Sequence, residues 1–339
     1  MSKISSPFLP ALICDIGGTN ARFQIVANKG EDPQKFETIP TAKFESIETA
    51  IEKTVLDKTR LVPKTAIIAA AGPITKDGLN LTNCHWDIQA LQFLNNTLFT
   101  DLVLMNDFEA QALSLPYLTA DDLSPLGKRL PGCSDNHTKV VLGPGTGLGV
   151  GLLVRAANQW VPVAGEGGHV DLGPRGDREI QVWKHLETVE GRVSAEQVLS
   201  GDGLVNLYQA CCAADQISST LVHPHEVSLA ACEGTNNQAH EALSIFCACL
   251  GRVAGDVAIT TGAKGGVYIA GGIAKKILGF LQASTFRTCF EDKAPNVNLM
   301  REMATNVVMH DLPALIGLAA FARNPDDFLM DIDPRHWSK

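Results

Sequence analysis

The sequence lacks the features that mark secreted, zinc-binding and nucleic-acid-binding proteins. Its nine cysteines among 339 residues are odd in number, scattered and without a CxxC motif, which predicts neither a disulfide framework nor a zinc site. Positive charge is also scarce, because the formal net charge is −9, whereas nucleic acids and anionic membranes select basic surfaces. We therefore expect a small-molecule substrate, with no nucleic acid and no membrane as partner.

Long apolar runs are missing as well. Residues 1–15 hold only a short apolar run that ends at Asp15, which makes a poor signal peptide, and no run of about 18 apolar residues follows. These absences predict a cytoplasmic protein. The hydrophobic fraction of 45% is that of a globular protein with a sizeable core, and 339 residues predict two domains.

What the sequence does contain is a glycine-rich segment near its start, LICDIGGTNARFQIV at 12–26. Apolar residues on both sides of two glycines predict a tight hairpin of two strands. Because glycine has no Cβ, unusual φ angles and close approach are open to it, and the N–H groups of Gly18, Thr19 and Asn20 could converge on a phosphate. The carboxylate of Asp15 could face a hydrated Mg²⁺ on that phosphate. An ordinary hairpin turn is the alternative interpretation.

Two further strands in this half of the chain end at polar or small residues. Thr65–Ala71 is predicted to be a buried strand that stops at a Gly-Pro turn. In the polar segment that follows, Asn83 and Trp86 are candidates to contact a polar ligand, although a loop aromatic also serves as a local core plug. Before them, Lys35–Ile39 is expected to form a third strand and Ile47–Leu56 a helix.

The apolar run Leu102–Met105 is typical of a buried parallel strand, and it stops at Asn106 and Asp107 before a helical pattern. Ligands bind at the carboxyl ends of strands in α/β sheets. The pair is therefore a candidate general base with an orienting carboxamide. The alternative is that one of the two residues only caps the helix.

A second glycine-rich hairpin follows a polar segment at 119–137, which reads as a linker at a domain boundary. The strand at 139–142 enters GPGTGLG (143–149) and leaves as the strand-like VGLLV. A dinucleotide-binding GxGxxG is followed by a helix, so this pattern does not favour a Rossmann site. We expect Gly145, Thr146 and Gly147 to grip a polyphosphate together with the first hairpin.

The loop AGEGGHVDLG places Glu166 and His169 on either side of two glycines. Their acceptor and donor atoms suit a polyhydroxy ligand, and no third residue has the spacing of a metal ligand. Further on, Ser194 precedes Gln197 by three residues, a capping-box pattern that predicts a helix with Glu196 in its first turn.

The last third of the chain alternates helices and strands. Helical patterns cover 204–214 and 241–261, and Gly265–Ile273 predicts a strand, a double glycine and a helix. That double glycine would admit a purine ring close to the backbone, or it is only a tight turn. Asn306–His310 is predicted to be a strand, and Pro313 to open a small-residue helix.

Taken together, the ordered motifs resemble a known family. The motifs are DIGGTNAR, NDFEA, GPGTGLG, EGGHVD, SAEQVLSG and GGVYIAGGI. Along about residues 12–320 they resemble the bacterial glucokinases, hexokinase-like sugar kinases of the actin and sugar-kinase fold superfamily. Repressor-type sugar kinases usually carry a cysteine-rich motif after the corresponding histidine, and this chain has no cysteine between His169 and Cys211.

The resemblance implies a fold, domain limits and an assembly. The fold is the two-domain α/β, hexokinase-like and ribonuclease H-like architecture with a substrate cleft between the domains. The small domain would comprise 1–117 completed by a C-terminal helix in 308–339, and the large domain 118–307. A homodimer is also implied by the family.

The resemblance further implies ATP-dependent phosphorylation of D-glucose to glucose 6-phosphate, with Mg²⁺ carried on the ATP. Asp107 would be the base. The sugar hydroxyls would be bound by Asn83, Asn106, Asp107, Glu166, His169 and Glu196. ATP would be held by Asp15 (through water on Mg²⁺), Gly17, Gly18, Thr19, Asn20, Gly145, Thr146, Gly147, Gly271 and Gly272. A kinase of mannose, fructose or glucosamine, or a non-catalytic sugar or nucleotide sensor, are the alternatives, and any contact of Arg175 or Arg178 with phosphate is left open.

Overall fold

The structure is a computed structural model, and it describes residues 8–82, 84–127 and 136–339. The strands are β1 Ala11–Ile16, β2 Asn20–Val26, β3 Gln34–Lys35, β4 Ile39–Pro40, β5 Thr65–Ala70, β6 Ile74–Thr75, β7 Gly78–Asn80, β8 Asp87–Gln89, β9 Asp101–Asn106, β10 Leu123–Pro125, β11 Lys139–Pro144, β12 Leu148–Ala156, β13 Gln159–Gly165, β14 Val267–Ile269, β15 Thr305–Val308 and β16 His336–Ser338. The helices are α1 Ile47–Thr54, α2 Ala90–Asn96, α3 Asp107–Ser114, α4 Gly176–Trp183, α5 Gly201–Ala214, α6 Pro224–Glu233, α7 Asn237–Thr261, α8 Gly272–Lys276, α9 Leu278–Ala283, α10 Phe286–Glu291, α11 Val297–Arg301 and α12 Pro313–Arg323.

The chain divides into two units by its internal contacts. The first unit comprises Met1–Leu118, Leu153–Ala164 and Asp311–Lys339, and the second comprises Thr119–Leu152 and Gly165–His310. The domain limits expected from the sequence stay a prediction, and they differ from these units mainly at Leu153–Ala164. That segment, which includes the end of β12, clusters with the first unit.

The sheet of the first unit has the order β16-β9-β5-β1-β2-β3, with β4 paired to β2. β1 and β2 form the antiparallel hairpin that the sequence predicts. β1, β5 and β9 run parallel, and Ile16, Ala70 and Asn106 share one row of the register at their carboxyl ends. The predicted single strand at 35–39 is wrong in detail, because two short strands, β3 and β4, pair with different parts of β2.

The core of the first unit holds the apolar faces of these strands together with α1, α2 and α12. β5 is buried at every position, as its continuous apolar pattern predicts. The small-residue helix α12 packs closely on α3, since a Cβ at Gly317 would overlap the carbonyl of Ala110. This packing fixes the helix that begins at Asp107.

The second sheet has the order β10-β15-β14-β11-β12-β13. β11, β14 and β15 are parallel to one another, and β10 lies antiparallel at the edge. The predicted strand, double glycine and helix at 265–273 are confirmed as β14, Gly271 and α8. The predicted strand at 306–310 is confirmed as β15, and the helix opened by Pro313 as α12.

The central helix of the second unit is α7. Among the described residues it is the one helix long and apolar enough to cross a membrane by length and composition, and 72% of its most apolar window is buried inside the protein. Asn236 caps its start by accepting from the N–H of Ala239, and Gly262 ends it in the left-handed conformation. The helix therefore has the burial expected of a core helix.

The helix predicted from the Ser194 capping box is wrong. The capping hydrogen bonds are present, because the N–H of Ser194 donates to the side chain of Gln197 at 2.9 Å and the N–H of Gln197 to Ser194 Oγ at 3.4 Å. They close a turn and not a helix, and α5 begins later, after Ser200, whose hydroxyl accepts from the N–H of Gly203. A Cβ at Gly203 would crowd the carbonyls of the preceding turn, so glycine is needed inside the first turn of α5.

Candidate functional site

The first hairpin ends in the tip that the sequence predicts. The N–H of Gly17 donates to the carbonyl of Asn20 at 2.9 Å, which closes the turn. An unusual φ is not required at Gly17, because its φ lies outside the left-handed region and a Cβ there would meet only the Asn20 carbonyl, at 3.6 Å. The conformation of the turn therefore gives no reason for glycine at this position, and close approach of a ligand stays a prediction.

Thr41 supports the tip from behind. Its hydroxyl donates to the carbonyl of Gly18 at 3.0 Å and its N–H to the carbonyl of Thr19 at 2.9 Å. Its side chain is buried. Both bonds turn tip carbonyls toward Thr41. Sequence reasoning missed this residue, since nothing local connects it with a loop 23 positions earlier.

Asp15 lies opposite Arg22 in the hairpin register, and the guanidinium contacts its Oδ2 at 3.3 Å. Burial raises the pKa of the Asp15 carboxyl above its ordinary value, and the charge and hydrogen bond of Arg22 oppose that rise. Mg²⁺ is usually held by one or two carboxylates together with substrate phosphates, so a single carboxylate beside the hairpin tip has the chemistry of a possible ligand. Within the described residues, no cluster of three or more His, Cys, Asp or Glu side chains could hold a metal ion by itself.

Asn106 and Asp107 lie at the junction of β9 and α3, and the structure shows which of them caps the helix. Asn106 is the N-cap of α3, and its Oδ1 accepts from the N–H groups of Phe108 at 2.9 Å and Glu109 at 3.2 Å. Asp107 is the first helical residue, with its Oδ1 near the N–H of Phe108 at 2.9 Å. Two strand spacings separate the ends of β1 and β9, so Ile16 and Asn106 lie about 10 Å apart.

A buried ion pair holds α3 two residues after Asp107. Arg335 donates to both carboxylate oxygens of Glu109, at 2.6 and 2.8 Å. The Glu109 side chain is only 4% exposed. Since the pair joins α3 to the C-terminal segment, it fixes the helix that carries Asp107. The sequence alone did not reveal this pair, whose members are 226 positions apart.

In the segment with Asn83 and Trp86, the tryptophan belongs to the described residues. Trp86 is buried, and its indole N–H donates to the carbonyl of Phe44 at 3.0 Å. Trp86 is therefore a core residue. Asn83 lies outside the described residues.

In the second unit, the second hairpin is hydrogen-bonded to Gly201 and Glu196. The N–H of Gly145 donates to the carbonyl of Gly147, and the carbonyl of Gly145 accepts from the N–H of Gly201, both at 2.8 Å. Glu196 Oε2 accepts from the N–H of Leu148 at 2.9 Å. The tip of the hairpin is followed by strand β12 and not by a helix. This confirms that the turn is not a Rossmann turn.

The loop with Glu166 and His169 lies beside the same hairpin. The N–H of Glu196 donates to the carbonyl of Gly168 at 2.8 Å, and a Cβ at Gly168 would overlap the carbonyl of Leu148. Glu166 and His169 are exposed, with Oε2 and Nε2 3.8 Å apart. Two polar side chains are thus presented to solvent on a backbone that is packed against the hairpin.

Gly271 and Gly272 differ in what glycine does there. Gly271 has φ +88°, and a Cβ would come within 2.6 Å of the carbonyl of Pro144, at the end of β11. Gly272 is the first residue of α8, and a Cβ there would meet no atom within 4 Å. Gly271 therefore packs directly on the strand that leads into the second hairpin, and Gly272 does not.

Arg175 and Arg178 are engaged by carboxylates. Arg175 pairs with Asp292 at 2.6 Å, and Arg178 binds Glu241 through two bonds of 2.7 Å. Hydrogen bonds and charge from Glu241 hold the pKa of Arg178 above its ordinary value. Both arginines line a cavity of about 420 Å³ that includes none of the predicted site residues. These contacts give both residues structural roles.

Comparison with known proteins shows which family the chain is similar to. The glucokinase family model matches residues 12–325. The glucokinase of Agrobacterium fabrum is 50% identical over 329 residues, which cover 97% of this chain and 96% of that protein. The glucokinase of Brucella suis is 46% identical over 328 residues, covering 97% and 95%.

Solved structures give the same fold. The crystal structure of a glucokinase from an Antarctic psychrotroph superposes with a TM-score of 0.82 at 33% identity, over 92% of this chain and 98% of that one. The glucokinase of Balamuthia mandrillaris, solved in complex with glucose, has a TM-score of 0.72 at 21% identity, over 95% of each chain. The predicted hexokinase-like α/β fold is confirmed. Since the family model spans most of the sequence and the relatives are about half identical over nearly their full length, the chain belongs to the glucokinase family.

Proposed function

We propose that the chain transfers the γ-phosphoryl group of ATP to the 6-hydroxyl of D-glucose, the first step of glycolysis, with Asp107 as the general base. Its place in the glucokinase family supports the reaction. The observation that carries the role of Asp107 is the division of labour at α3. Because Asn106 makes the capping bonds, Asp107 is not needed as the cap.

Asp107 would take the proton of the attacking hydroxyl. Phosphoryl transfer needs positioning and charge stabilisation more than covalent help. A carboxylate at the carboxyl end of a parallel strand lies where substrates bind in α/β sheets. With its Oδ1 used for capping, Asn106 keeps its amide N–H groups for a sugar oxygen.

The two glycine-rich hairpins would hold ATP. Gly17–Asn20 in one unit and Gly145–Gly147 in the other each contain two glycines, and positions without a side chain suit close approach of the backbone to phosphate oxygens. Asp15 would hold Mg²⁺ through water, and the bound ion neutralises charge on the β- and γ-phosphate oxygens. Gly271 and Gly272 would admit the adenine ring close to the backbone.

Glucose would be bound through its hydroxyls by Asn83, Asn106, Asp107, Glu166, His169 and Glu196. Sites that pair buried polar groups with a hydroxyl reject analogues that lack it, by up to about 10⁴ in kcat/KM. The side chains of Glu166 and His169 are exposed without a ligand, so discrimination of this size requires that the bound sugar bury them. Deoxyglucoses are therefore the sharpest probes of Glu166 and His169. Replacing Glu166 by Gln is expected to raise the KM for glucose and leave the KM for ATP unchanged.

We extend the proposal to a cytoplasmic homodimer without a nucleic-acid or membrane partner. The dimer rests on the family resemblance, and the absence of a nucleic-acid or membrane partner rests on the net charge of −9, because both of those partners are anionic. Light scattering coupled to gel filtration measures the mass directly. A monomer at micromolar concentration would remove the dimer from the proposal.

The test is a coupled assay of ADP release with Mg-ATP and a panel of sugars. Glucose is expected to give the highest kcat/KM, with mannose, fructose and glucosamine far below it. A higher value for one of those sugars would replace glucose as the substrate. Glucose binding without any turnover would instead indicate a sensor that kept the fold.

A further inference from the structure

Glu196 is bonded both to the second hairpin and to the loop that holds Glu166 and His169. Its Oε2 accepts from the N–H of Leu148, the residue that follows the hairpin tip. Its own N–H donates to the carbonyl of Gly168, in the middle of the loop. One residue is therefore bonded next to the backbone assigned above to phosphate and to the backbone of the loop that presents the sugar ligands.

Gly147 makes the carboxylate contact possible. A Cβ at this position would overlap Glu196 Oε2, whereas the φ of Gly147 lies outside the left-handed region. The need for glycine here is therefore set by the carboxylate and not by the turn. The carboxylate occupies the volume that a side chain on the hairpin would fill.

We propose that Glu196 is a positioning residue that couples sugar binding to nucleotide binding. One carboxylate oxygen holds the second hairpin in shape for the phosphates, while the other, Oε1, receives a sugar hydroxyl. The inference rests on the proposed function, because it takes the two ligands from it. A sugar that orders the carboxylate also orders the hairpin, and by linkage a nucleotide that orders the hairpin favours the sugar to the same degree.

The hairpin itself offers a matched pair of substitutions. Gly147→Ala pushes the Glu196 carboxylate away from the N–H of Leu148. The changed residue belongs to the phosphate hairpin and is not itself a proposed sugar ligand. Gly145→Ala adds the same methyl two residues earlier, where its closest neighbour is the carbonyl of Gly147 at 3.9 Å. We expect Gly147→Ala to weaken glucose binding about tenfold, the cost of one displaced charged hydrogen bond, and Gly145→Ala to leave it within about twofold.

The measurement is calorimetric titration with glucose in the absence of nucleotide, with melting temperatures to show that each variant is folded. Wild-type affinity in Gly147→Ala, or an equal loss in Gly145→Ala, would overturn the coupling while leaving the kinase activity in place. Failure of the wild-type protein to bind glucose would instead overturn the proposed function, and the coupling with it.

A second pair of variants reads the coupling from the nucleotide side. With ADP as the probe and no sugar present, Glu196→Gln keeps an acceptor for the N–H of Leu148 and is expected to bind ADP within about twofold of wild type. Glu196→Ala removes the acceptor and is expected to bind ADP about tenfold more weakly. A residue that served only as a sugar ligand would leave ADP binding unchanged in both, and that result contradicts the proposal even if Gly147→Ala fails to fold.

Discussion

Replacing Gly17 by alanine separates a phosphate-binding hairpin from an ordinary turn. The added methyl group would meet only the carbonyl of Asn20, at the ordinary contact distance of 3.6 Å, on a backbone that other residues can adopt. We therefore expect the folded structure to accommodate alanine at this position. Where the native conformation is compatible, Gly→Ala stabilises a protein by about 0.4–1 kcal/mol through the unfolded state.

The same methyl group would stand between the hairpin backbone and a bound phosphate. A misplacement of about 1 Å at a reacting group costs up to about 10² in rate. We expect kcat/KM for Mg-ATP to fall by about 10- to 100-fold in Gly17→Ala, and the KM for glucose to change little. The assay is the coupled release of ADP at saturating glucose, with unfolding followed in parallel.

Gly30→Ala is the matched control. Gly30 lies in the turn after β2, and a Cβ there would meet only Asn28 Oδ1, at 3.9 Å. Both variants are expected to fold, and only Gly17→Ala to lose activity toward ATP. If Gly17→Ala keeps the wild-type KM for ATP within about twofold, the hairpin is a plain turn and its assignment to phosphate is wrong.

Two further predictions concern charged pairs of the first unit. Arg22→Met removes the cation that opposes the raised pKa of Asp15, so that this pKa rises further and the acidic limb of the pH profile of kcat/KM for Mg-ATP should move to higher pH; an unmoved limb would show that Asp15 does not act on the nucleotide. Arg335→Ala leaves the buried carboxylate of Glu109 without its partner and should lower the free energy of unfolding by about 3–5 kcal/mol, as denaturant titration would show, whereas a loss below about 1 kcal/mol would mean that water replaces the guanidinium.

The parts of the fold predicted from the sequence are those where local pattern and tertiary burial agree. The apolar residues on both sides of the glycines at 12–26 form two largely buried strands, and the continuous run of 102–105 is a doubly covered parallel strand. β1 ends one residue after Asp15, and β9 ends at Asn106, next to Asp107. Asp15 and Asp107 could therefore be proposed as site residues from the sequence alone.

The failures have physical causes of their own. The capping signal at Ser194 is satisfied in a turn, because a side-chain bond to a backbone N–H does not require that a helix follow. The true start of α5 was masked by its glycines, and Gly203 is needed there for packing that no local pattern records.

Long-range contacts were equally invisible in the sequence. Thr41 behind the first hairpin, Arg335 on Glu109, and Glu196 on the second hairpin all join positions distant in the chain. Single-sequence patterns carry periodicity and turn chemistry but not such pairs. The supporting contacts of the site therefore became apparent only in three dimensions.

The central claim is that Asp107 acts as the base while Asn106 caps the helix, and the turnover of Asp107→Asn tests it most directly. Asparagine keeps the shape of the side chain and removes the proton acceptor, and the capping bonds of Asn106 remain. With glucose and Mg-ATP, kcat is predicted to fall by about 10²–10⁴ while the melting temperature stays near that of wild type. Wild-type turnover in the folded Asp107→Asn protein would contradict the account.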